Sequence, residues 1–382
     1  MARKRIEKNL AFDEEKGRYY VYFDYGSDSS GRRVRGSQTF RELETAREAL
    51  CQFELRRLQH RLRAPVRMTV GDWLDYWLEE IVRPNREETT YYCYRGMVWN
   101  HIIPALGRIP IQSLDSRAIQ HYYGDMLREK KLSTNTVHKP PILPHTALKA
   151  AYRQGILSEN PVDRVEPPRL ACPRQYFYTP EQLSTLFSAV EGHPLELVVK
   201  LAGYLGLRRS EICGLRWENV DLERHLIHVR TVRTTAGGTV VLKQPKTSHS
   251  IRRLGIGGLE DLEELLRREA GRQTEKKQGD PHWTDSGYVV VRADGRPCDP
   301  NRVTGDFHSF IQEHELPPIT IHGLRHTFAS LANSARVPLL DIGKTLGHKD
   351  CAITGRVYTH IFDQTHQEVL NTVAACIAAS RQ

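Results

Sequence analysis

The sequence predicts a multidomain, mainly α-helical protein with a small N-terminal β-sheet, a helical middle part and a C-terminal part of mixed α and β structure. Three observations support this fold class. Aromatic and β-branched residues form strand-like runs near the N-terminus, and helical periodicity dominates the middle. A strand-rich stretch then interrupts the helices of the C-terminal half. The length of 382 residues suits two or three domains of ordinary size.

Composition excludes several classes of protein. Hydrophobic residues make up 39% of the chain and charged residues 26%, which is typical of soluble globular proteins. No stretch approaches the ~18 consecutive apolar residues of a membrane span, and the N-terminus lacks the apolar region of a secretory signal. The 7 cysteines are scattered without a CxxC pair, which argues against a disulfide framework or a thiolate zinc site. We therefore expect a cytoplasmic protein without membrane contacts.

The charge distribution indicates a polyanionic partner. The formal net charge is +9, a weak signal by itself. Residues 1–64 carry the largest share of the excess, and residues 175–382 are nearly neutral. If the partner is DNA, the front of the chain supplies much of the attraction to its phosphates.

The first segment, residues 1–64, predicts a small sheet backed by one helix. Strand-like runs at 18–25 and 32–40 flank a turn-rich stretch, and a helical pattern extends over 44–62. The two-residue period of a strand places Arg33 and Arg35 on one face. An ordinary solvated sheet surface would explain the same arginines.

The second segment, residues 65–165, has helical patterns throughout. One apolar stripe runs along its first helix: Val70, Trp73, Leu74, Trp77 and Leu78. The aromatic residues of this segment are more typical of a core than of a base-stacking surface: Trp73, Trp77, Tyr92 and Trp99. Residues 166–174, with three prolines, predict an extended linker.

The last segment, residues 175–382, begins with a helix signal, since Thr179 can cap a helix whose first residue is Pro180. Strands are expected between about residues 226 and 254, with a hairpin turn at Gly237 and Gly238.

Four short motifs in this segment carry the candidate chemistry. GLRRSE places Arg208 at a turn before a helix, where the helix dipole also favours an anion. PKT places Lys246 in a loop between two strands. LGHKD contains His348, and the VYTH motif that follows contains Tyr358. Each of these residues alone is most simply read as an ordinary surface or partly buried side chain.

The third motif in chain order, HGLRHTF, precedes the pattern formed by LGHKD and VYTH, and it places His322 and Arg325 on one face of a helix, near its start. A pair of this kind can bind one phosphate. His322 and His326 could instead form a metal pair. We do not favour a metal, because no thiolate or carboxylate is spaced to complete the site.

Together, the motifs suit attack on a phosphodiester. A tyrosine hydroxyl has a pKa near ~10, so it needs help to act as a nucleophile at neutral pH. Arginine and histidine donors can stabilise the charge that grows on the non-bridging oxygens, and a lysine can protonate the leaving oxygen. Such a site requires neither metal nor ATP, so no cofactor is expected.

The motifs GLRRSEICGLRW, PKTSHSIRR, HGLRHTFAS, LGHKD and VYTH resemble the tyrosine recombinase (phage integrase) family in order and spacing. The resemblance implies an α+β catalytic domain and a 3′-phosphotyrosyl intermediate. It further implies strand exchange through a Holliday junction in a homotetramer on DNA. The implied roles are Tyr358 as nucleophile, Arg208 and Arg325 as phosphate ligands, and Lys246 as the acid. His322 would assist proton transfer, His348 would donate to the phosphate, and Glu211 would support the site.

The resemblance extends to the front of the chain. Residues 65–165 look like the helical core-binding domain, and residues 1–64 look like the arm-binding domain of integrases from conjugative transposons and related phages. That domain lays a three-stranded sheet in the DNA major groove, which makes four residues candidate DNA contacts: Tyr20, Tyr22, Arg33 and Arg35. The layout implies integration and excision of a mobile genetic element at core and arm sites. An excisionase and DNA-bending proteins are conceivable further partners.

Two features leave alternatives open. Pro140, Pro141 and Pro144 interrupt a region where the family has a continuous helix, so we expect the helix to start near His145 or to be kinked. The apolar stripe of the C-terminal tail either folds onto its own domain or docks on a neighbouring subunit. Two rival functions are a DNA-binding protein with an inactive catalytic fold and a type IB topoisomerase.

Overall fold

The structure is a computed structural model that describes residues 3–27, 32–58, 68–128, 134–167, 176–244 and 250–347. The chain divides into two compact units, residues 1–173 and 174–382. The division falls at the end of the predicted linker, while the boundary expected near residue 64 lies outside the described residues. In the described ranges, no helix combines the length and apolar character that crossing a membrane requires.

An antiparallel sheet of four strands opens the first unit, in the order β1-β2-β3-β4. Its strands and the helix that follows are β1 (Lys4–Glu7), β2 (Leu10–Asp13), β3 (Arg18–Ser27), β4 (Arg33–Phe40) and α1 (Leu43–Leu58). The sheet therefore has one strand more than the three we expected. The additional strand β1 is fully exposed, so it has no buried face to produce an alternating pattern in the sequence.

Alternation along β3 explains why the sheet packs on α1. Val21 and Phe23 are buried, and Phe23 packs against Phe53 of α1 with ring centroids 4.8 Å apart. Tyr20 and Tyr22 alternate with these residues and therefore lie on the opposite face. The two strands and the helix predicted for this segment are confirmed.

The remaining described part of the first unit is mainly helical. Its elements are α2 (Val70–Tyr76), α3 (Arg83–Asn85), α4 (Glu88–Met97), α5 (Ile103–Leu106), α6 (Ser116–Arg128) and α7 (Thr134–Arg153). Two π-helical segments, Trp77–Val82 and Val98–Ile102, continue α2 and α4. Two 3₁₀ turns complete the set, Ile111–Ser113 and Pro161–Arg164.

The predicted apolar stripe forms the core of these helices. All five of its residues are buried, and the indole N–H of Trp73 donates to the carbonyl of Ala147 at 3.0 Å. Tyr92 packs against the same core, but Trp99 is half exposed. Three of the four aromatic residues expected in the core therefore contribute to it.

Helix α7 corrects one expectation. It runs from Thr134 through Pro140, Pro141 and Pro144 to Arg153, so the later start near His145 is wrong, and the alternative of a kinked helix stays a prediction. A proline in a helix loses one backbone hydrogen bond and costs ~3 kcal/mol or more. The C-terminal half of α7 buries Ala147, Leu148 and Ala151 in the core, and this packing offsets part of that cost.

The second unit is mainly helical with a β insert. Its helices are α8 (Pro180–Ala189), α9 (Glu196–Leu205), α10 (Arg209–Ile212), α11 (Glu260–Gly279), α12 (Pro300–Glu313), α13 (Ile321–Ser334) and α14 (Leu339–Leu346). Its strands are β5 (Val220–Asp221), β6 (Leu226–Val229), β7 (Val232–Ala236), β8 (Thr239–Lys243) and β9 (Arg252–Gly255). A 3₁₀ turn, Trp217–Asn219, precedes β5.

Local signals in this unit behave as the sequence predicts. The Thr179 hydroxyl accepts from the backbone N–H of Gln182, and Pro180 is the first residue of α8. Strands β7 and β8 form a hairpin, in which Gly237 and Gly238 have φ of 57° and 84°. Both values fall where glycine is favoured, as the turn requires. Strands β5, β6 and β9 form a separate antiparallel sheet.

Candidate active site

Arg208 lies at the turn between α9 and α10, as predicted. Gly206 ends α9 in the left-handed conformation, with φ of 61°. A Cβ at this position would lie 2.6 Å from Leu346 Cδ2 and 2.9 Å from Phe328 Cδ1. Glycine is therefore needed both for the turn and for the close approach of α13 and the end of α14. The Arg208 side chain remains 32% exposed at this junction.

Glu211 is a buried carboxylate that receives two arginines. Its side chain is 1% exposed, and Oε1 accepts from Arg208 Nη1 at 2.7 Å. Both carboxylate oxygens also accept from the Arg252 guanidinium, each at 3.0 Å. Burial alone would raise the pKa of Glu211. The hydrogen bonds from Arg252 and the charges of Arg252 and Arg208 outweigh it, and they lower the pKa.

His322 and Arg325 begin helix α13, which Thr320 caps by accepting from the backbone N–H of Gly323 at 2.9 Å. Arg325 is only 2% exposed, which the sequence did not predict. Its guanidinium donates to the carbonyl of Gly206 at 2.7 Å and to that of Leu346 at 2.6 Å. It therefore ties the Arg208 turn to the end of α14.

Three consecutive carbonyls at the end of α14 each accept from a different arginine. Arg252 donates to Thr345 at 2.6 Å, Arg325 to Leu346 at 2.6 Å, and Arg208 to Gly347 at 3.3 Å. Cations are favoured here because the last carbonyls of a helix carry partial negative charge. The guanidinium groups of three separate motifs thus meet directly before His348 in the chain.

The surroundings of the two histidines of α13 favour the neutral form of each ring. Loss of hydration against the surrounding protein, then the charges of Arg325 and Arg208, lower the pKa of His322, although the residue as a whole is exposed. Burial, His322 and Arg325 lower the pKa of His326 to about 4. The two rings meet edge to face with centroids 4.7 Å apart. Both imidazoles are therefore neutral at pH 7 and can accept a proton.

Three predicted catalytic residues, Lys246, His348 and Tyr358, lie outside the described residues, so their roles stay predictions. Across the described ranges, no group of three or more His, Cys, Asp or Glu side chains could hold a metal ion. The His322–His326 pair therefore has no third ligand of these types within the described part of the chain.

The four DNA-contact candidates of the N-terminal sheet share the face opposite α1. Cross-strand pairing joins Tyr22 to Ser37 and Asp24 to Arg35 on this face. Arg33 donates to Asp24 at 2.6 Å. Two more contacts involve Arg3: it donates to the Tyr22 hydroxyl at 2.9 Å and lies 3.7 Å from the centre of the Tyr20 ring.

Two arginines of these sites were missed from the sequence. Arg3 precedes any recognisable strand pattern, since β1 is exposed. Arg252 belongs to the motif PKTSHSIRR, but it was assigned no role from the sequence. Arg252 lies two and four residues before the buried residues Leu254 and Ile256, and this two-residue period was a signal that Arg252, rather than Arg253, faces inward.

Comparison with known families decides what this site belongs to. The model of the Phage integrase family matches residues 177–365, a range that contains every candidate residue of the C-terminal site. The model of the phage integrase N-terminal SAM-like domain matches residues 69–127. The chain belongs to the phage integrase family of tyrosine recombinases. It is therefore an enzyme that cuts and rejoins DNA strands.

Curated relatives of this recombinase match almost end to end. The tyrosine recombinase XerC-like protein of Caldanaerobacter subterraneus subsp. tengcongensis is 26% identical over 379 residues, which cover 93% of this chain and 95% of the relative. The ICEBs1 integrase of Bacillus subtilis is 26% identical over 366 residues, which cover 93% of this chain and 96% of that integrase.

Solved structures of integrases share the fold. The Tn1549 transposon integrase in complex with transposon right end DNA has a TM-score of 0.69 at 22% identity, covering 80% of this chain and 100% of that one. A lambda integrase tetramer bound to a Holliday junction has a TM-score of 0.59 at 17% identity, covering 91% and 97%. These matches confirm the predicted fold class.

Proposed function

We propose that this recombinase is a site-specific integrase that integrates and excises a mobile genetic element through a 3′-phosphotyrosyl intermediate. The observation that carries the proposal is the convergence of Arg208 and Arg325 on the last carbonyls of α14, directly before His348, with His322 close enough to both arginines for their charges to lower its pKa. The names of the relatives, a transposon integrase and ICEBs1 integrase among them, support this kind of element.

In the proposed reaction, the Tyr358 oxygen attacks the scissile phosphorus. A Tyr–O–P bond forms, the P–O5′ bond breaks, and the second half of the reaction reverses these changes with a new DNA strand. Arg208 and Arg325 neutralise the charge that develops on the non-bridging oxygens, and His348 adds a hydrogen bond. A preorganised donor of this kind lowers the activation free energy by about 2.7–4 kcal/mol.

The proton of Tyr358 goes to His322 in this scheme, and Lys246 protonates the leaving 5′-oxygen. The lowered pKa of His322 supports the first step, because only a neutral imidazole accepts a proton. No step of the scheme calls for a metal or ATP. Lys246→Ala is expected to cleave slowly and to recover when sulfur, a better leaving group, replaces the 5′-bridging oxygen.

The proposed substrate is double-stranded DNA with core sites for residues 65–165 and 175–382 and arm sites for residues 1–64. The concentration of Arg3, Arg33 and Arg35 with Tyr20 and Tyr22 on one sheet face supports the arm-site assignment. Arginine side chains beside aromatic rings suit contacts with both phosphates and bases.

The proposed assembly is a homotetramer on DNA, acting in the cytoplasm. The lambda integrase tetramer bound to a Holliday junction supports this assembly by likeness of fold. An excisionase and DNA-bending proteins are proposed as further partners that set the direction of the reaction.

A nicked core-site duplex tests the proposed chemistry. Cleavage next to the nick releases a short fragment, so the covalent protein–DNA adduct cannot religate and accumulates. The wild-type protein is expected to form this adduct, and Tyr358→Phe is expected to form none while binding the duplex equally well. An adduct that persists in Tyr358→Phe would contradict the nucleophile. Cleavage without dependence on the site sequence would favour a topoisomerase instead.

A further inference from the structure

Arg252 is a buried arginine whose contacts extend to two other motifs of the active site. It opens strand β9, shortly after the PKT motif in sequence, and its side chain is 7% exposed. One guanidinium edge binds both oxygens of Glu211, and Nε binds the carbonyl of Thr345 at the end of α14. Nη1 also donates to the carbonyl of Ser250, two residues before it in the chain.

Glu211 links Arg252 to Arg208 through hydrogen bonds. Its Oε1 accepts from Arg252 and from Arg208 Nη1, and its Oε2 accepts from Arg252 and from the backbone N–H of Arg208. The carboxylate is therefore fixed from one side by Arg252 and fixes Arg208 from the other. Without Arg252, the nearly inaccessible carboxylate would keep one cationic partner, and it would draw Arg208 further onto itself.

The paired hydrogen bonds to Glu211 require a planar guanidinium group at position 252. Two parallel N–H···O bonds hold the carboxylate in one orientation, which a lysine ammonium cannot do because it is a single point charge. Lysine would retain the charge that keeps Glu211 ionised but would lose the fixed orientation.

We infer that Arg252 is a positioning residue for DNA cleavage, which acts through Glu211 to aim the Arg208 guanidinium at the scissile phosphate. The inference rests on the role of Arg208 in the proposed function. Arg252 itself does not touch the DNA in this account. The hydrogen bond to the carbonyl of Thr345 restrains the Arg252–Glu211 pair, because it anchors Arg252 to the end of α14.

The test is single-turnover cleavage of the nicked core-site duplex by the full-length protein. Arg252→Lys is expected to slow cleavage by about 10- to 100-fold, the size of effect that a small misplacement of a reacting group produces, while binding the duplex as tightly as the wild type. Glu211→Gln keeps the shape of the carboxylate without its charge and is expected to slow cleavage similarly. The matched control is Arg224→Lys, whose side chain is 81% exposed, and it is expected to cleave normally.

Two further readouts separate positioning from mere structural support. Arg208→Ala combined with Arg252→Lys is expected to be no slower than Arg208→Ala alone, because Arg252 acts through Arg208. A methylphosphonate at the scissile position removes the charge that Arg208 neutralises, so the loss in Arg252→Lys should largely disappear on this substrate. A general packing defect would slow both substrates equally.

Wild-type cleavage by Arg252→Lys, multiplication of the two rate losses, or an equal loss on the methylphosphonate would each overturn the inference. Circular dichroism and the thermal midpoint verify that each variant is folded, and Glu211→Gln takes over the test if Arg252→Lys unfolds. Failure of the wild-type protein to form any adduct would instead overturn the proposed function, and this inference with it.

Discussion

The arginines of the N-terminal sheet and those of the C-terminal site are held in opposite ways. Arg33 is 63% exposed and pairs with one carboxylate across the sheet surface. Arg325 and Arg252 are buried, and each joins two or more elements of the fold. Exposed pairs contribute little to stability, so the sheet would lose little if DNA phosphates replaced these contacts, as the proposed arm-site role requires. The buried arginines instead define the geometry of the site.

The difference predicts how each region responds to mutation. Loss of an arginine from the sheet face should weaken DNA binding gradually and in a salt-dependent way. Loss of an arginine from the buried group should change the rate of cleavage and the stability of the fold together, because the same hydrogen bonds serve both.

The largest effect is expected for Arg325→Met, which roughly keeps the side-chain volume. Cleavage should slow by about 10²–10³-fold, as for removal of one preorganised donor. The two buried carbonyls of Gly206 and Leu346 lose their partner, at a cost of about 1–3 kcal/mol in the free energy of unfolding. Single-turnover cleavage and urea denaturation measure the two changes. Arg302→Met, on the exposed side of α12, should change neither.

Gly206→Ala is expected to destabilise the fold by about 1–3 kcal/mol through overpacking. The new Cβ would meet Leu346 and Phe328, whereas the Cβ added by Gly192→Ala meets nothing within 4 Å at a similar φ of 72°. The control variant Gly192→Ala is therefore destabilised only by the strain of its backbone conformation. Denaturation midpoints of the two variants measure the difference, and equal destabilisation would show that the close approach at Gly206 is not tight.

The pH dependence of cleavage should follow His322. Because its pKa is lowered, the ring is half protonated at a pH below the ordinary value of 6.5. The single-turnover rate should therefore decrease with acid, and the midpoint of the decrease should lie below pH 6.5. A decrease centred above pH 6.5 would mean that the ring gains rather than loses affinity for protons in the site.

The stability of the fold should also fall with acid, through His326. Its pKa of about 4 in the folded protein lies below the ordinary value of 6.5, so the unfolded chain binds more protons between these pH values. The free energy of unfolding should therefore decrease as pH falls from 6.5 towards 4. Urea denaturation of wild type and His326→Gln at pH 7 and pH 5 isolates this contribution, which the variant should lack.

The smallest effect is expected on the sheet. Arg35→Gln should weaken arm-site binding modestly and reduce the slope of log affinity against log salt by about 1, the value for one lost phosphate contact. Arg57→Gln, on α1 behind the sheet, should leave the slope unchanged. Equal effects of the two substitutions would assign the binding to overall charge rather than to this face.

Periodicity explains which parts of the molecule were predictable. Val21 and Phe23 alternate with Tyr20 and Tyr22, so strand β3 and its faces followed from the sequence. The stripe beginning at Val70 gave the first helix of the middle part for the same reason. Strand β1 has no buried face and left no such pattern. Helix α7 passes through three prolines, a case in which the local rule failed because tertiary packing opposes it.

The sequence supplied candidate residues for the site but not their connections. Arg208, His322 and Arg325 stood out by motif, yet nothing in the sequence indicated that Arg325 is buried against two carbonyls. The meeting of Thr345, Leu346 and Gly347 with three arginines depends on how α9, α13 and α14 pack. These contacts join positions that are 21, 93 and 139 residues apart, and they leave no local pattern.

The most direct test of the account is the identity of the atom joined to DNA. The adduct trapped on the nicked core-site duplex can be digested with protease and nuclease, and the residual nucleotide located by mass spectrometry. We expect one modified peptide, with a 3′-phosphate of the DNA esterified to Tyr358. A nucleotide on any other residue, or a link through a 5′-phosphate, would contradict it.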